Sequence, residues 1–128
     1  ESEVEFQDTA RMMATVRFHS AYIFKYSERK NTIAARKYPD DVAESVKGER
    51  VSRLVALQRP ISLERNRELI GRTVDILVEG DATRSSDQSM GRTDGNLTVV
   101  WSKDHRPLAP GRRVERRIVD ASAATLYA

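Results

Sequence analysis

The sequence predicts an α+β chain in which a helical first half is followed by a small all-β barrel of the OB-like type. Apolar residues recur at helical spacing over residues 6–16, 42–58 and 62–70, and from Arg72 onward they alternate with a period of two. A capping box begins the first half and a proline interrupts it, which divides it into separate helical segments. A length of 128 residues is enough for one ordinary domain or two small ones.

The composition excludes several classes of protein and of metal site. No apolar run approaches the roughly 20 residues that span a bilayer, so we expect a cytoplasmic protein with no membrane partner. Cysteine is absent, which excludes disulfides, thiolate zinc sites and cysteine-ligated iron–sulfur clusters within this chain. The histidines, His19 and His105, lie far apart without ligand spacing; we predict no metal site and interpret them as a barrel-edge and a loop residue.

Residues 1–38 begin with a capping-box pattern, Ser2 to Glu5, that predicts a helix ending near Arg17. Residues 20–26 are almost continuously apolar or aromatic, which is typical of a strand buried on both faces. Residues 27–39 are polar and basic and predict a loop. Because one helix and one strand cannot form a sheet, we expect this region to be the end of a larger domain. The first residue is not Met, which fits a fragment.

Residues 39–71 are predicted to form a helical connector between two domains. The pattern is helical over 42–58, and it resumes over 62–70. Pro60 is expected to kink or break the helix, and Gly71 is a natural C-terminal cap. A helical hairpin that belongs to one domain is the alternative.

Residues 72–128 are predicted to form the barrel, closed or partly open, with four or five short strands. The segment 94–96, Asp-Gly-Asn, is expected to be a hairpin turn. Two polar segments, 81–88 and 102–110, are expected to be loops. The strands are indicated by these runs and alternating residues: Thr73–Val78; Leu97, Val99 and Trp101; Val114 and Ile118; Thr125–Tyr127.

The hairpin carries the strongest candidate binding residues. Arg92, Thr93 and Asn96 place a cation, a hydroxyl and an amide around one tight turn, and Arg84 lies on the preceding polar segment. A guanidinium in such a place can contact an RNA phosphate or stack on a base, so we predict that these four residues bind RNA. For Arg92 we favour a partner that is either RNA or a group within the chain, and an exposed arginine of no special role, which many small barrels carry, is the alternative.

Aromatic and basic residues give weaker signals. Trp101 and Tyr127 are candidate stacking platforms, although Trp101 shares the parity of Leu97 and Val99, and this favours a core position. Net charge is only +3, but four arginines lie within 112–117, and arginine suits bidentate phosphate contacts. An arginine-rich composition unrelated to RNA is the alternative.

Ser27 and Arg29 follow the predicted buried strand. Substrates and cofactors bind at the carboxyl ends of strands in α/β barrels, so these two residues are candidates for cofactor binding, with a solvated loop as the alternative.

No catalytic constellation is present, because the chain has no cysteine nucleophile, no evident His–carboxylate pair and no Gly-rich phosphate loop after a strand. The chain alone is expected to be catalytically inactive.

Five segments, taken in order, share one pattern: Glu1–Thr9, similar to the residues after a Gly-Phe-Pro-Gly turn; Val16–Phe24, similar to a strand; Lys25–Ala34, similar to a Tyr-Ser-Pro-Arg-x-Gly-Thr-x-Ala loop; Val46–Arg50 and the residues up to Ser62, similar to a connector helix; and Val78–Gly80 with Gly91–Val100, similar to a small RNA-binding barrel. Together they resemble the C-terminal part of the radical-SAM methylthiotransferases, whose barrel is called the TRAM domain. Two positions depart from the pattern: Glu28 stands where that family has Pro, and Asn31, which tolerates positive φ, stands where it has Gly.

The resemblance implies that 1–38 is the end of a radical-SAM partial TIM-type barrel and 72–128 a TRAM domain. Asp87 and Gln88 before Met-Gly-Arg-Thr most resemble the branch that acts on tRNA. That branch adds a methylthio group to C2 of N(6)-dimethylallyladenosine beside the anticodon. The implied partners are the tRNA anticodon arm and a missing N-terminal part of the same protein.

The resemblance also implies cofactors in the parent enzyme. These are S-adenosylmethionine and two 4Fe–4S clusters, whose cysteines would precede residue 1, with none ligated by this chain and with Ser27 and Arg29 near the cofactor or a cluster. Three alternatives stay open: an enzyme acting on threonylcarbamoyladenosine in tRNA, one acting on an aspartate of a ribosomal protein, and a non-enzymatic RNA-binding module.

Overall fold

The structure, a computed structural model, describes residues 1–83, 85–103 and 108–128. It divides into two compact units, Glu1–Ile61 and Ser62–Ala128. The predictions for Arg84 and His105 fall outside the described residues.

The first helix, α1, spans Glu3–Val16 as its capping box predicts. The Ser2 hydroxyl accepts a hydrogen bond from Glu5 N, and the Glu5 carboxylate accepts one from Ser2 N at 2.6 Å, so two otherwise unpaired helical N–H groups are satisfied. The helix ends where Arg17 adopts φ 53°. Of the apolar residues at helical spacing, Phe6 and Met13 are buried, whereas Val16 at the end of the helix is 50% exposed.

The strand predicted for residues 20–26 is wrong, because this segment has no helical or strand structure. A strand needs neighbouring strands to bond its N–H and C=O groups, and every strand in the described part of the chain lies in the second unit. Tyr22 and Phe24 are therefore left 78% and 81% exposed. The predicted loop that follows contains a short helix, α2, at Ile33–Lys37, whose N-cap is Thr32.

The third helix, α3, spans Glu44–Arg67 and continues through Pro60. Of the two effects expected of Pro60, the break is wrong, because a proline removes one N–H donor from the helical ladder while the bonds on either side can persist, and the kink stays a prediction. A turn follows the helix, and Gly71 adopts φ 86° there, as expected for a residue that closes a helical segment.

The second unit is built on one mixed sheet in the order β4-β1-β2-β3-β6-β5. All neighbours pair antiparallel except β3 and β6, which pair parallel. The strands are β1 Thr73–Ala82, β2 Ser85–Thr93, β3 Thr98–Ser102, β4 Arg113–Arg117, β5 Asp120–Ala121 and β6 Leu126–Tyr127.

The two edge strands, β4 and β5, are separated by only Ile118 and Val119, so the sheet must curl on itself. Ile118 exchanges hydrogen bonds with the residues before β1, through Gly71 N at 2.8 Å and Arg72 O at 2.9 Å. Val119 N donates to Tyr127 O of β6 at 2.8 Å. Both ends of the sheet are thus joined through two residues, and the small barrel predicted from the sequence takes this curled form.

The sequence predicts the residues of the barrel core, but it does not predict the first part of β2. The inward side chains are apolar, as expected: Ile76, Val78, Val99, Trp101, Ile118, Ala121 and Leu126. The loop predicted over 81–88 is wrong, because β1 continues to Ala82 and β2 begins at Ser85. The buried positions of β2 are Ser89 and Gly91, which are too small and polar to give the apolar alternation that marks a strand.

Candidate nucleic-acid interface

Two arginines and a leucine form one row across the outward face of the sheet. Leu77 of β1 is the register partner of Arg92 on β2 and of Arg113 on β4. Its neighbours Ile76 and Val78 point into the core, so Leu77 points outward and is 44% exposed. Because neighbouring strands lie about 4.8 Å apart, the two arginine backbones are separated by roughly 10 Å, with an apolar side chain between them.

Gly91 fixes how closely β2 approaches β1 beside this row. A Cβ at this position would lie 2.3 Å from Leu77 O and 2.7 Å from Ile76 Cγ2. Only glycine fits without a shift of the backbone, so the sequence Gly-Arg places Arg92 on the outward face immediately after the point of closest approach.

A β-bulge supplies the first partner of Arg92. Val78 pairs with Gly91 and Gly80 with Met90, so Glu79 is an extra residue on β1 without a partner on β2. Its side chain reaches Arg92, and Arg92 Nε donates to Glu79 Oε1 at 3.0 Å.

The predicted hairpin turn at 94–96 is confirmed and supplies the second partner. Asn96 adopts φ 61° and its N donates to Thr93 O at 2.9 Å, while the Thr93 hydroxyl accepts from Leu97 N at 3.2 Å. In this position the amide oxygen of Asn96 accepts from Arg92 Nη1 at 3.0 Å. Arg92, Thr93 and Asn96 are thus brought together, and Arg92 has partners within the chain, which is one of the two kinds of partner expected for it.

Arg113 is a second cation on this face, and it was not among the predicted site residues. Its Nε donates to Asp75 at 2.7 Å and its Nη2 to Asp94 at 2.6 Å. Hydrogen bonds to Asp94 and then to Asp75 raise the pKa of Arg113, so the side chain stays fully charged. The sequence signal was the arginine cluster at 112–117, but its members cannot be told apart without the register of β4 against β1.

The two candidate stacking residues differ in exposure. Trp101 is 3% exposed and belongs to the core, so the core alternative is confirmed. The Arg116 guanidinium lies 5.9 Å from the Trp101 ring centroid. Tyr127 is 37% exposed.

Ser27 and Arg29 are both exposed in the first unit. The Arg29 carbonyl accepts hydrogen bonds from Thr32 N and from the Thr32 hydroxyl, which closes a small turn. Asn31 adopts φ 68° in that turn, as expected for a residue that replaces glycine. A cofactor role for Ser27 and Arg29 stays a prediction.

The first unit also contains a cleft of about 530 Å³, which neither Ser27 nor Arg29 lines. Aromatic and apolar side chains dominate its wall, with Lys47 and Arg50 among the polar groups. Its aromatic lining consists of Phe6, Phe18, Tyr22, Phe24, Tyr26 and Tyr38.

In the described residues no group of three or more His, Cys, Asp or Glu could hold a metal ion, and no helix is long and apolar enough to cross a membrane.

Residues 67–128 match the family model of the TRAM domain. This segment carries the six-stranded sheet and the arginine row, and its match to the TRAM family confirms that part of the predicted resemblance.

The whole chain is similar to a group of named enzymes. It is 46% identical over 99% of its length to a tRNA-2-methylthio-N(6)-dimethylallyladenosine synthase of Porphyromonas gingivalis, and 44% identical over 99% to the enzyme of that name from Chlorobium phaeobacteroides. It is 46% identical over 98% of its length to the one from Chlorobium limicola. The chain spans 27% or 28% of the length of these relatives and matches their C-terminal part.

Proposed function

We propose that this chain is the C-terminal, tRNA-binding part of a radical-SAM methylthiotransferase that adds a methylthio group to C2 of N(6)-dimethylallyladenosine beside the anticodon. The observation that carries the proposal is the fixed arginine row on the TRAM sheet. The names of the relatives support the reaction and the tRNA substrate. We assign residues 1–38 to the end of the radical-SAM domain, 39–71 to a connector and 72–128 to tRNA binding, in the cytoplasm where tRNA is found.

Arg92 would contact the phosphate backbone of the anticodon arm. Its Nε and one Nη1 proton are used within the chain, and a guanidinium has five N–H donors, so three are left for RNA oxygens. Asn96 would hold the guanidinium in its orientation, and Thr93 would close the turn that places Asn96. Arg84, on the segment before β2, would assist as a further cation.

The chemistry would be carried out by residues outside this chain. S-adenosylmethionine and two 4Fe–4S clusters would supply the radical and the sulfur. This sequence contains no cysteine, so its residues do not fit cluster ligation, and the ligands would belong to the rest of the protein. Ser27 and Arg29 would contribute a hydroxyl and a guanidinium near the cofactor.

The aromatic cleft of the first unit would pack against the preceding part of the same protein. Tyr22 and Phe24 are more than three quarters exposed, and contiguous exposed apolar surface marks an interaction site. The relatives extend well beyond the length of this chain, so a covering segment of the same polypeptide is the partner we assign.

The proposal is tested by RNA binding and by activity. We expect the 128-residue chain to bind a synthetic tRNA anticodon stem–loop in fluorescence anisotropy, and Arg92→Ala to weaken binding about three- to tenfold with native circular dichroism. Arg59→Ala, which removes one exposed cation from α3, is the charge-matched control. Equal affinity of wild type and Arg92→Ala would contradict the role of Arg92.

Activity is tested in cells that carry the full-length protein. Mass spectrometry of tRNA nucleosides should detect 2-methylthio-dimethylallyladenosine with the wild-type gene, and its unmethylthiolated precursor without the gene. An unchanged nucleoside profile after deletion would contradict the proposed reaction.

A further inference from the structure

One turn holds two arginines that belong to different strands. Asp94, the first residue of the turn, accepts from Arg113 of β4, and Asn96, its last residue, accepts from Arg92 of β2. Leu77 lies between the two cations in the outward row. Two residues of one turn therefore contribute to the orientation of both guanidiniums.

We propose that Arg113 is a second contact to the RNA backbone and that Asp94 is the positioning residue that orients it. The inference rests on the proposed RNA-binding function and extends the surface from the β2–β3 hairpin onto β4. Arg113, which lies 21 positions after Arg92, would thus bind RNA. Asp94, although acidic, would support that binding by positioning Arg113.

Donor geometry makes this arrangement possible. Arg113 uses Nε for Asp75 and one Nη2 proton for Asp94, so one Nη1 proton and the second Nη2 proton form an edge that matches a phosphate. An arginine that is already held loses less side-chain entropy when it binds than a free one. The apolar surface of Leu77, between the two cations, can lie against a ribose or a base.

Asp94 has two opposite effects on RNA affinity. It orients Arg113, which favours binding, and its negative charge, on a side chain that is 83% exposed, repels phosphates, which opposes binding. A single substitution to alanine removes both effects and cannot separate them. Asp94→Asn removes the charge but keeps an oxygen that can accept from Arg113 Nη2, so comparison with Asp94→Ala isolates the positioning effect.

The experiment measures the affinity of the 128-residue chain for the same anticodon stem–loop at several salt concentrations. We expect Asp94→Ala to bind about two- to fivefold more weakly than Asp94→Asn, in line with the strength of an exposed ion pair. In an Arg113→Ala background the two substitutions should bind equally. Arg113→Ala alone should weaken binding, and it should reduce the slope of log affinity against log salt concentration by about one counterion. Arg59→Ala should have a smaller effect on both the affinity and the slope.

The outcomes separate the two proposals. Equal affinities of Asp94→Ala and Asp94→Asn in the presence of Arg113 would overturn the positioning role. A difference that persists in the Arg113→Ala background would overturn the coupling between the two residues. Wild-type affinity of a folded Arg113→Ala chain would overturn the second contact and leave the role of Arg92 standing, and failure of the wild-type chain to bind RNA would overturn both proposals.

Discussion

Arg92 and Glu79 form an ion pair across a β-bulge, with Nε 3.0 Å from Oε1. The bulge gives β1 one residue more than β2, and the extra residue carries the carboxylate. Each side chain is 38% exposed, so solvent screens the pair and its contribution to stability is small, about 0.2–1 kcal/mol. We infer that the pair orients Arg92 more than it stabilises the fold.

Glu79→Gln should therefore leave the fold intact and strengthen RNA binding. The glutamine oxygen can still accept from Arg92, while the charge that repels phosphate is gone, so we expect affinity to rise by about two- to threefold at low salt. Fluorescence anisotropy with the anticodon stem–loop measures this change. Glu68→Gln, an equal change of charge at an exposed position after α3, is the control, and an equal gain in both variants would contradict a local effect.

Gly91→Ala should destabilise the second unit substantially. The new Cβ would lie 2.3 Å from Leu77 O, which belongs to the backbone of a paired strand and cannot move alone. We expect a loss of about 1–3 kcal/mol in the free energy of unfolding, measured by urea denaturation. Gly95→Ala is the matched control, because its Cβ would approach nothing closer than Thr93 Oγ1 at 3.8 Å. Similar losses in both variants would contradict a steric cause.

Local patterns in the sequence predicted those features whose determinants are close in the chain. The limits of α1 follow from a capping box and an apolar stripe within one helix. The turn at 94–96 and the cluster of Arg92 with Asn96 could be predicted because these residues lie on one hairpin.

Features that depend on distant residues could not be predicted. The apolar run at 20–26 indicates burial but not whether neighbouring strands exist to bond it. Residues 85–88 of β2 were predicted as a loop because the inward residues of this strand are small and the pairing on both sides, not its own composition, holds it in the sheet. The partners of Arg113, Asp75 and Asp94, lie 38 and 19 residues away and are brought to it only by the register.

Asn66→Ala should destabilise the second unit, because Asn66 joins the end of α3 to the segment before β6. It is 3% exposed and its Nδ2 donates to Ser122 O at 2.8 Å. Loss of the amide leaves that part-buried carbonyl without this donor, and we expect a loss of about 1–3 kcal/mol in the free energy of unfolding. Asn66→Asp should be at least as destabilising, since an ionised carboxylate would face the carbonyl oxygen. Full stability of Asn66→Asp in thermal denaturation at neutral pH would contradict this role.

The titration of Glu5 tests the capping box directly. The backbone N–H of Ser2, followed by the Ser2 hydroxyl, stabilises the ionised carboxylate and lowers the pKa of Glu5 below its ordinary value of 4.5. A lowered pKa in the folded state means that the contribution of Glu5 to stability is present above pH 4.5 and is lost as pH falls through the folded-state pKa. Carbon-13 NMR of the Glu5 carboxyl should follow this transition. Ser2→Ala removes the hydroxyl but keeps the backbone donor, so the pKa of Glu5 should rise only partly towards 4.5. A complete return to the ordinary value would show that the backbone bond does not stabilise the carboxylate.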